Sequence, residues 1–340
     1  MMKVIRAGSV LVAACGFAGS SAAHHSPAAF DQSKEIVIEG KLTQFSFNNP
    51  HTYLTLEIVG PDGAATSQDV EAGPISVVQP LGLMRDSLQV GEQVTVRGNP
   101  SRGGAGQTVL GLYVTRADGK VFPLSVSSAS ARAASTSRAS SIAGTWHPTF
   151  ASFAALYDVI GSWPLTDDGR QRLLDARQKS FTTHSDCIPA GAPMLMVYPV
   201  ATNVRIDATT VVFDIDWIDS ERIVHLEAEH PLNVGLSLQG HSIGRWEGDV
   251  LVVDTVGFTA HAEGIGFGMP SSERKHLIER FALAADRRHL VYDVTIEDPA
   301  YLTEPVRYAA EWEYDPDIVP SKVGCDLAIA RRYLREADQR

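Results

Sequence analysis

The sequence predicts a mainly β protein in which a small OB-like barrel is followed by a larger antiparallel β-barrel or strongly curved sheet, with a few helices. Three observations carry this prediction. Short runs rich in Val, Ile, Thr and aromatic residues alternate with turn residues such as Gly, Pro and Asp. In the first third of the chain, three such runs precede a short helical pattern and two follow it. In the second half, about eight runs recur at regular spacing.

The N-terminus has the pattern of an export signal. Lys3 and Arg6 precede a short apolar stretch, residues 7–19, and small residues then offer a cleavage site near Ala23. No other stretch reaches the roughly 18 apolar residues of a membrane span. We therefore expect a periplasmic or secreted protein with no transmembrane segment.

Cys15 allows a second way of processing the N-terminus, as a lipoprotein. Residues 12–15 (VAAC) are similar to a bacterial lipobox, in which the cysteine is acylated and becomes the first residue. Cleavage there leaves an apolar core of only residues 7–14, which is short for an export signal. Cleavage near Ala23 is the leading expectation, and a lipid anchor at Cys15 is the alternative.

Composition sets the domain layout and excludes one class of partner. A chain of 340 residues with 44% hydrophobic and 20% charged residues is globular and long enough for two cores. The net charge of −11, without a basic stripe, argues against nucleic-acid binding. Residues 126–141 are small and polar, as in a flexible linker. They separate a first domain, residues 24–125, from a second, residues 142–340.

The first domain contains the elements of a five-stranded OB-like barrel, with a plain sandwich as the alternative. Pro80 restricts the central helical pattern to a short or broken helix. In chain order the predicted elements are strands at 35–47, 52–63 and 65–73, a helix within 74–86, and strands at 91–100 and 108–119.

The second domain begins with residues 144–163 and a helix that starts at Thr166, which acidic residues follow in the first turn. The strands after it fit an up-and-down barrel, for which a lipocalin-like topology is one option, or a curved sheet. An amphipathic helix is expected at residues 326–340. The predicted strands cover 194–206, 209–218, 221–229, 235–247, 249–258, 276–285, 289–298 and 306–315.

Two cysteines, Cys187 and Cys325, remain after the export signal. In an oxidising compartment two cysteines usually pair. Their separation of 138 residues would make the bond a staple between the two ends of the second domain.

His24 and His25 lie where the export signal would be cut, and they form a candidate copper site. Cleavage after Ala23 would let the free amine and imidazole of His24 chelate one Cu²⁺ ion, whereas cleavage after Ala22 would make His25 the third residue of a square-planar site. His51, in the turn NNPHTY, would be the next ligand if that turn lies at the barrel rim. The alternative is that these histidines are ordinary polar residues. No cofactor is therefore certain, and copper is the one candidate.

The same histidines fall within motifs that resemble a known family. The segments AHHSPAAFD, EGKLTQFSFNNPHTYLTLEI and GEQVTVRGNPSRGG resemble a family of secreted bacterial proteins of unknown function, over residues 24–124. Glu92 stands where that family usually has Asp. In the second domain, GHSIGRWEGDVLVVDTVGF and IEDPAYLTEP resemble a block that recurs in other uncharacterised secreted proteins. Neither resemblance implies an activity.

Asp254 lies within VLVVDTV, which is apolar on both strand faces, so an interior position is expected. A buried carboxylate without a partner is destabilising by several kcal/mol. Arg245, Arg280 and His241 are the expected partners. The plainest interpretation is an ion pair that fixes strand register.

The functional interpretation makes these residues the polar end of a ligand cavity. His241, Asp254 and either Glu297 or Asp298, with Arg245 beside them, would contact a small ligand inside the barrel. A His–Asp acid/base pair is the catalytic version of the same hypothesis.

The motifs of common enzyme classes are missing from the sequence: it contains no G-x-S-x-G, HExxH, P-loop or CxxC. The leading hypothesis is therefore an exported, non-enzymatic binding protein for a small, largely apolar ligand or a periplasmic protein partner. One alternative is copper binding through His24, His25 and His51. The other is an isomerase or hydrolase that uses His241 and Asp254.

Overall fold

The computed structural model confirms the mainly β architecture. Among the residues it describes, no helix combines the length and apolar character needed to span a membrane. The predicted export signal with Cys15, and both His24 and His25, lie outside the described residues. The described residues are 30–49, 51–79, 81–102, 108–125, 135–178, 186–227, 229–266, 268–318, 320 and 324–331.

The first part of the chain forms the predicted OB-like barrel. The antiparallel order is β3-β2-β1-β4-β5-β6, and a parallel pairing of Val70 in β3 with Val109 in β5 closes the ring. A short helix lies between β3 and β4, as this fold requires. The elements are β1 (Ile36–Ser46), β2 (Tyr53–Val59), β3 (Ala65–Glu71), α1 (Ile75–Val78), β4 (Gln93–Asn99), β5 (Val109–Arg116) and β6 (Val121–Pro123).

Strand alternation builds the core of this barrel. Ile38 and Leu42 on β1 point inward, while Val37 and Glu39 are exposed. Gly40 is required between them because a Cβ there would lie 2.7 Å from a backbone oxygen of β2. A register shift after Leu42 then bends β1 so that it can pair with both β2 and β4.

The second part forms a closed nine-stranded barrel with helices around it. Its elements are β7 (Gly144–Pro148), α2 (Phe150–Ile160), α3 (Asp167–Gln178), a 3₁₀ helix (Met194–Val197), β8 (Thr202–Ile206), β9 (Thr210–Ile215), β10 (Ser220–His225), β11 (His241–Glu247), β12 (Val250–Val256), β13 (His261–Gly266), β14 (Met269–Ser271), β15 (His276–Leu283), β16 (His289–Glu297), β17 (Val306–Tyr314) and α4 (Leu327–Ala330).

The barrel differs in three ways from the strand pattern expected from the sequence. Its order is β10-β11-β12-β15-β16-β17-β7-β8-β9, so β7 supplies a ninth strand. All of the barrel's neighbouring strands are antiparallel except β10 and β11, which pair in parallel at Val224 and Ser242. The strand predicted at 194–206 is a 3₁₀ helix followed by β8. Only α4 of the predicted C-terminal helix lies within the described residues.

Aromatic rings fill one part of the barrel interior. Phe281 is central, with its ring centroid 4.8 Å from Phe213, 5.0 Å from Tyr292 and 6.0 Å from Trp312. All four side chains are fully buried. Their mutual contact anchors β9, β15, β16 and β17 to one core.

A buried ion pair lies beside these rings. The Arg222 guanidinium donates from Nη1 to Glu279 Oε1 at 2.8 Å and from Nη2 to Glu279 Oε2. Nη2 also reaches the hydroxyls of Thr255, at 2.9 Å, and Ser242, at 3.2 Å. Tyr292 donates its hydroxyl to Glu279 at 2.8 Å, and burial beside this carboxylate raises the pKa of Tyr292 well above its usual value. The network joins five strands. Because its groups are buried, water does not compete for these hydrogen bonds.

A cap of β13, β14, α2, α3 and the 3₁₀ helix closes the barrel end at which β12 leads into β13. Buried Lys275 joins its parts, donating from Nζ to the carbonyl oxygens of Ala192 at 2.6 Å and Gly264 at 2.8 Å. The same Nζ lies 3.9 Å from the ring centroid of Phe258. As predicted, Thr166 caps α3, accepting a hydrogen bond from a backbone N–H in its first turn.

The stability of the fold should depend on pH through Lys275. Burial lowers the pKa of Lys275 from 10.5 to about 7. Between these values the unfolded chain binds a proton that the folded chain does not, so the free energy of unfolding should rise with pH by up to about 1.4 kcal/mol per unit. Urea unfolding from pH 7 to 10 should show this slope in the wild type and not in Lys275→Met. Equal slopes in the two proteins would contradict it.

The predicted disulfide between Cys187 and Cys325 is present, with 5.7 Å between the two Cα atoms. Cys325 also forms a parallel backbone bridge with Asn49 in the first domain's Asn-Pro-His turn. Near the bond, Arg331 Nη2 donates to Asp186 at 2.6 Å. The bond therefore holds a segment that touches both parts of the chain.

The described residues form two hydrophobic cores, one within residues 38–124 and one that begins at Ala139, inside the predicted linker. Residues 126–134 of that linker lie outside the described residues. The end of that linker is packed against the second barrel, where Ala139 is buried and its backbone N–H donates to the carbonyl of Arg287 at 2.8 Å. The Arg287 guanidinium donates in return to the carbonyls of Ala139, at 2.8 Å, and Ser140, at 3.0 Å.

Candidate functional site

Six polar side chains gather on the outer surface of the second barrel, at its capped end. They lie where neighbouring strands begin or end, or on the loop between β10 and β11, so the barrel order brings them together. We call this group the histidine face, and it consists of His225, His230, His241, Asp254, His276 and Glu297.

Asp254 is on this outer face and not in the interior, which corrects the expectation from the sequence. Along β12 the inward positions are Leu251, Val253 and Thr255, and Asp254 alternates with them at 30% side-chain exposure. The expectation was wrong because Val252, on the outer side of the same strand, is also buried. Because both faces of β12 are buried around Val252, its sequence is apolar at consecutive positions and does not show which side faces the interior.

Asp254 organises the centre of the histidine face. Its Oδ1 lies 3.2 Å from His230 Nε2 and 3.0 Å from His276 Nε2. His230 presents its other nitrogen, Nδ1, to His241 Nδ1 at 2.9 Å. His276 Nδ1 lies 3.4 Å from Glu297 Oε2. A continuous hydrogen-bonded chain therefore runs from Glu297 to His241.

The carboxylate determines where the protons sit along this chain. A carboxylate only accepts hydrogen bonds, so His230 Nε2 carries a proton and donates it to Asp254. In neutral His230 the Nδ1 atom is then an acceptor, and His241 Nδ1 donates to it. This assignment leaves the Nε2 lone pair of His241 as the basic end of the chain.

The surroundings of His241 keep that lone pair available. Burial lowers the pKa of His241, and the neighbouring His230 and His225 lower it further. The ring of His225 stacks on that of His241, with 5.2 Å between centroids and 11° between planes. A neutral imidazole held in this way can accept a proton or bind a metal ion.

The structure brings together three of the five ligand-binding candidates, namely His241, Asp254 and Glu297. Arg245 does not reach Asp254, because its Nη2 donates to Glu247 at 2.8 Å. Buried Asp298 points to a different region, where it accepts from the backbone N–H of Ser272 at 2.7 Å and from its hydroxyl at 2.6 Å.

The expected partners of Asp254 do not contact it either. Arg280 donates to Glu247 at 3.0 Å, and His241 contacts His230 instead of the carboxylate. The actual partners, His230 and His276, were not singled out from the sequence. His276 begins a predicted strand and His225 lies in another, so strand alternation could have grouped them. His230 lies in a loop, and no local pattern marks it.

In the first domain, the residues on either side of Pro50 contact other parts of the chain. Asn49 is fully buried and bridged to Cys325. His51 is half-buried, with Nδ1 3.3 Å from the carbonyl of Ala72 and 3.3 Å from Glu71 Oε1. His24 and His25 lie outside the described residues, so the structure places only this one of the three predicted copper ligands.

Throughout the described ranges, no three His, Cys, Asp or Glu side chains surround one position that could hold a metal ion. Any metal on the histidine face would therefore have fewer than three ligands from these side chains in the arrangement observed.

Fold and site together define a protein with an OB-like barrel, a nine-stranded barrel and an external cluster of histidines. Comparison with known families matches residues 12–110 to a family described as "Family of unknown function (DUF6152)". This match covers most of the segment whose motifs resemble an uncharacterised family. No curated protein matches the chain.

Proposed function

We propose that the protein is an exported, non-enzymatic binding protein whose ligand binds at the histidine face. The observation that carries this proposal is the continuous chain from Glu297 through His276, Asp254 and His230 to His241, on partly exposed side chains. Exposed side chains lose conformational entropy when they are held in one arrangement. Side chains already ordered before a ligand arrives bind it with a smaller loss, which favours a recognition surface.

The composition of the barrel interior favours an external site. The rings around Phe281 contact one another, and the buried charges of Arg222 and Glu279 neutralise each other. The terminal nitrogens of Arg222 and the carboxylate of Glu279 are therefore engaged with each other, whereas the hydrogen-bonded chain outside the barrel leaves Nε2 of His241 unused.

Apolar side chains beside the histidine face suit a small, largely apolar ligand with a polar group, or a protein partner. Leu232, two residues from His230, is fully exposed, and Leu236 on the same loop is 51% exposed. Ile223, on the outer side of β10 two residues before His225, is exposed as well. Adjacent apolar and hydrogen-bonding groups are typical of binding surfaces.

Native mass spectrometry of protein recovered from a bacterial periplasm tests the proposal without assuming a ligand. We expect a bound mass on the wild type that is lost from His230→Ala/His241→Ala. His289→Ala is the matched control, because His289 lies at the other end of β16 and pairs with Asp286 at 2.6 Å. A bound mass that persists in the double variant, or a wild type with none, would overturn binding at this face.

Acid/base catalysis is the second candidate function, favoured by the basic nitrogen at the end of a carboxylate–histidine chain. In an isomerase or hydrolase, His241 would accept a proton and Asp254 would hold His230 in position. Turnover of a bound small molecule, lost in both His241→Gln and Asp254→Asn, would favour catalysis over binding alone. Copper binding through His24, His25 and His51 is a separate proposal, which the native mass of the periplasmic protein also tests.

A further inference from the structure

Among the residues that the structure describes, the hydrogen-bonded chain of the histidine face leaves three atoms unused, and all three are acceptors. His241 contacts His230 through Nδ1, which leaves the lone pair of Nε2. Asp254 takes both of its histidine contacts on Oδ1, which leaves Oδ2. Glu297 contacts His276 through Oε2, which leaves Oε1. A ligand that forms hydrogen bonds with these atoms must therefore be a donor.

The charge of this face favours a donor that is also a cation. Asp254 and Glu297 are carboxylates, and the charge of exposed Glu227 acts on His241. His276 offsets one of these charges, because it contacts two carboxylates and can donate to both only as an imidazolium. Three carboxylates against one imidazolium leave the face negative, and a negative surface attracts cations.

The basic side chains on neighbouring parts of the barrel do not neutralise this face. Arg245 and Arg280 both donate to Glu247. Lys275, although it precedes His276, is buried and donates to carbonyl oxygens in the cap. A cationic ligand would therefore not have to displace any of these three side chains.

His241 and Asp254 are close enough together for one small ligand to contact both. They lie on the adjacent strands β11 and β12, where His241 pairs with Val256 and Asp254 pairs with Ile243. The two residues are therefore diagonal neighbours, which are about 7–8 Å apart in an antiparallel pair. An ammonium group has three N–H donors and one positive charge, which suits a neutral imidazole beside a carboxylate.

We propose that the histidine face binds an organic ammonium ion, a protonated primary amine on an apolar body, through Nε2 of His241 and the carboxylate of Asp254. The inference rests on the proposed function and names the class of its ligand. Exposed Leu232 and Leu236, on the same loop as His230, would contact the apolar body.

Acid should release such a ligand. Burial lowers the pKa of His241 below its usual 6.5, and His230 and His225 lower it further, while Glu227 acts in the opposite direction. Nε2 is therefore an acceptor at neutral pH and gains its proton below pH 6.5. A protonated Nε2 is a donor with a positive charge, so the affinity for an ammonium ion should fall at these lower values.

The reverse arrangement of protons is the competing account of this face. A protonated His230 would donate to both Asp254 and His241, so that Nδ1 of His241 accepts and its Nε2 carries a proton. The chain would then end in a donor, which suits a carboxylate ligand. The experiment must therefore compare ligands that differ only in their polar group.

Four hexyl compounds separate these accounts. Hexylammonium has charge and N–H donors, hexyltrimethylammonium has charge alone, hexanol is a neutral donor, and hexanoate is an anion. We would titrate each into the protein at about pH 7.5, where an alkylamine is protonated, and follow the imidazole resonances by NMR. Hexylammonium should bind most tightly, with hexyltrimethylammonium roughly 3- to 10-fold weaker and hexanoate weakest.

Two variants test the two parts of the site. His241→Phe keeps a ring beside His225 and removes the lone pair, so the preference for hexylammonium over hexyltrimethylammonium should disappear. Asp254→Asn removes the charge, so both cations should bind more weakly. His289→Ala is the control and should behave as the wild type does, because His289 pairs with Asp286 at the other end of β16. Thermal melts will verify that each variant is folded.

Tightest binding by hexanoate, no binding of hexylammonium, or binding of hexylammonium that is unchanged in both variants overturns the ammonium inference. Native mass spectrometry distinguishes this failure from failure of the proposed function. If the periplasmic protein carries a mass that is not an amine and that His230→Ala/His241→Ala loses, binding at the histidine face holds and only the ligand class is wrong.

Discussion

Glu279→Gln should lower the free energy of unfolding by about 3–5 kcal/mol, because it leaves a buried guanidinium without a counter-ion. Arg222 is fully buried and its two terminal nitrogens both contact the Glu279 carboxylate. The hydroxyls of Ser242, Thr255 and Tyr292 are dipoles and cannot neutralise that charge. Urea unfolding followed by tryptophan fluorescence will measure the loss.

Glu247→Gln is the matched control. Glu247 accepts from Arg245 and Arg280, but all three side chains are exposed. Pairs of this kind contribute about 0–1 kcal/mol, so this variant should unfold nearly as the wild type does. A small loss in Glu279→Gln, similar to that of Glu247→Gln, would show that the buried charge has another source of compensation.

Replacing both members of the buried pair separates the charge effect from packing. Arg222→Met/Glu279→Leu removes both charges and keeps apolar volume, so it should be markedly more stable than Glu279→Gln. If the double variant is no better, the loss in the single variant comes from disrupted packing around Tyr292 instead of an uncompensated charge.

Local patterns were sufficient to predict the first barrel. Its first five strands span 7 to 11 residues, and the helix between β3 and β4 matches the OB order. The capping of α3 by Thr166 was likewise predictable, because capping depends only on neighbouring residues. Such features are encoded within about ten residues of sequence, and so the sequence alone predicts them.

Features of the second barrel that depend on distant contacts were not predictable in this way. β7 is only five residues long and leads directly into α2, so no alternation is visible. The parallel pairing of β10 with β11 depends on where the loop between them crosses, which the strand sequences do not record. Whether a short strand forms, and which strand it pairs with, depends on how the whole barrel closes and not on the local sequence.

The candidate site shows the same division. Asp254 was singled out because it lies within an apolar run, and His241 because it was one of the expected partners of that carboxylate. Their mediator, His230, lies in a loop whose path is set by the parallel pairing, so its contact with both could be seen only in three dimensions. The prediction that Arg245 and Arg280 pair with Asp254 was wrong for the same reason. In the folded barrel both arginines donate to Glu247 instead.

Cys187→Ser/Cys325→Ser should lower the free energy of unfolding by about 4–5 kcal/mol, the chain-entropy value for a loop of this size. The bond closes a loop of 138 residues, so its absence frees a large number of unfolded conformations. The contact that remains beside it, Arg331 with Asp186, is an exposed ion pair that contributes at most about 1 kcal/mol. It cannot replace the covalent bond.

The position of this disulfide gives the prediction a second, local part. Cys325 pairs through its backbone with Asn49, so losing the bond should loosen the Asn-Pro-His turn before the barrels unfold. Hydrogen exchange at the Thr52 amide, which donates to Gly73 next to that turn, should accelerate in the double serine variant. Arg331→Ala is the control and should leave this exchange unchanged. If stability falls without faster exchange at Thr52, the disulfide acts on the unfolded chain alone and the turn is held by its own packing.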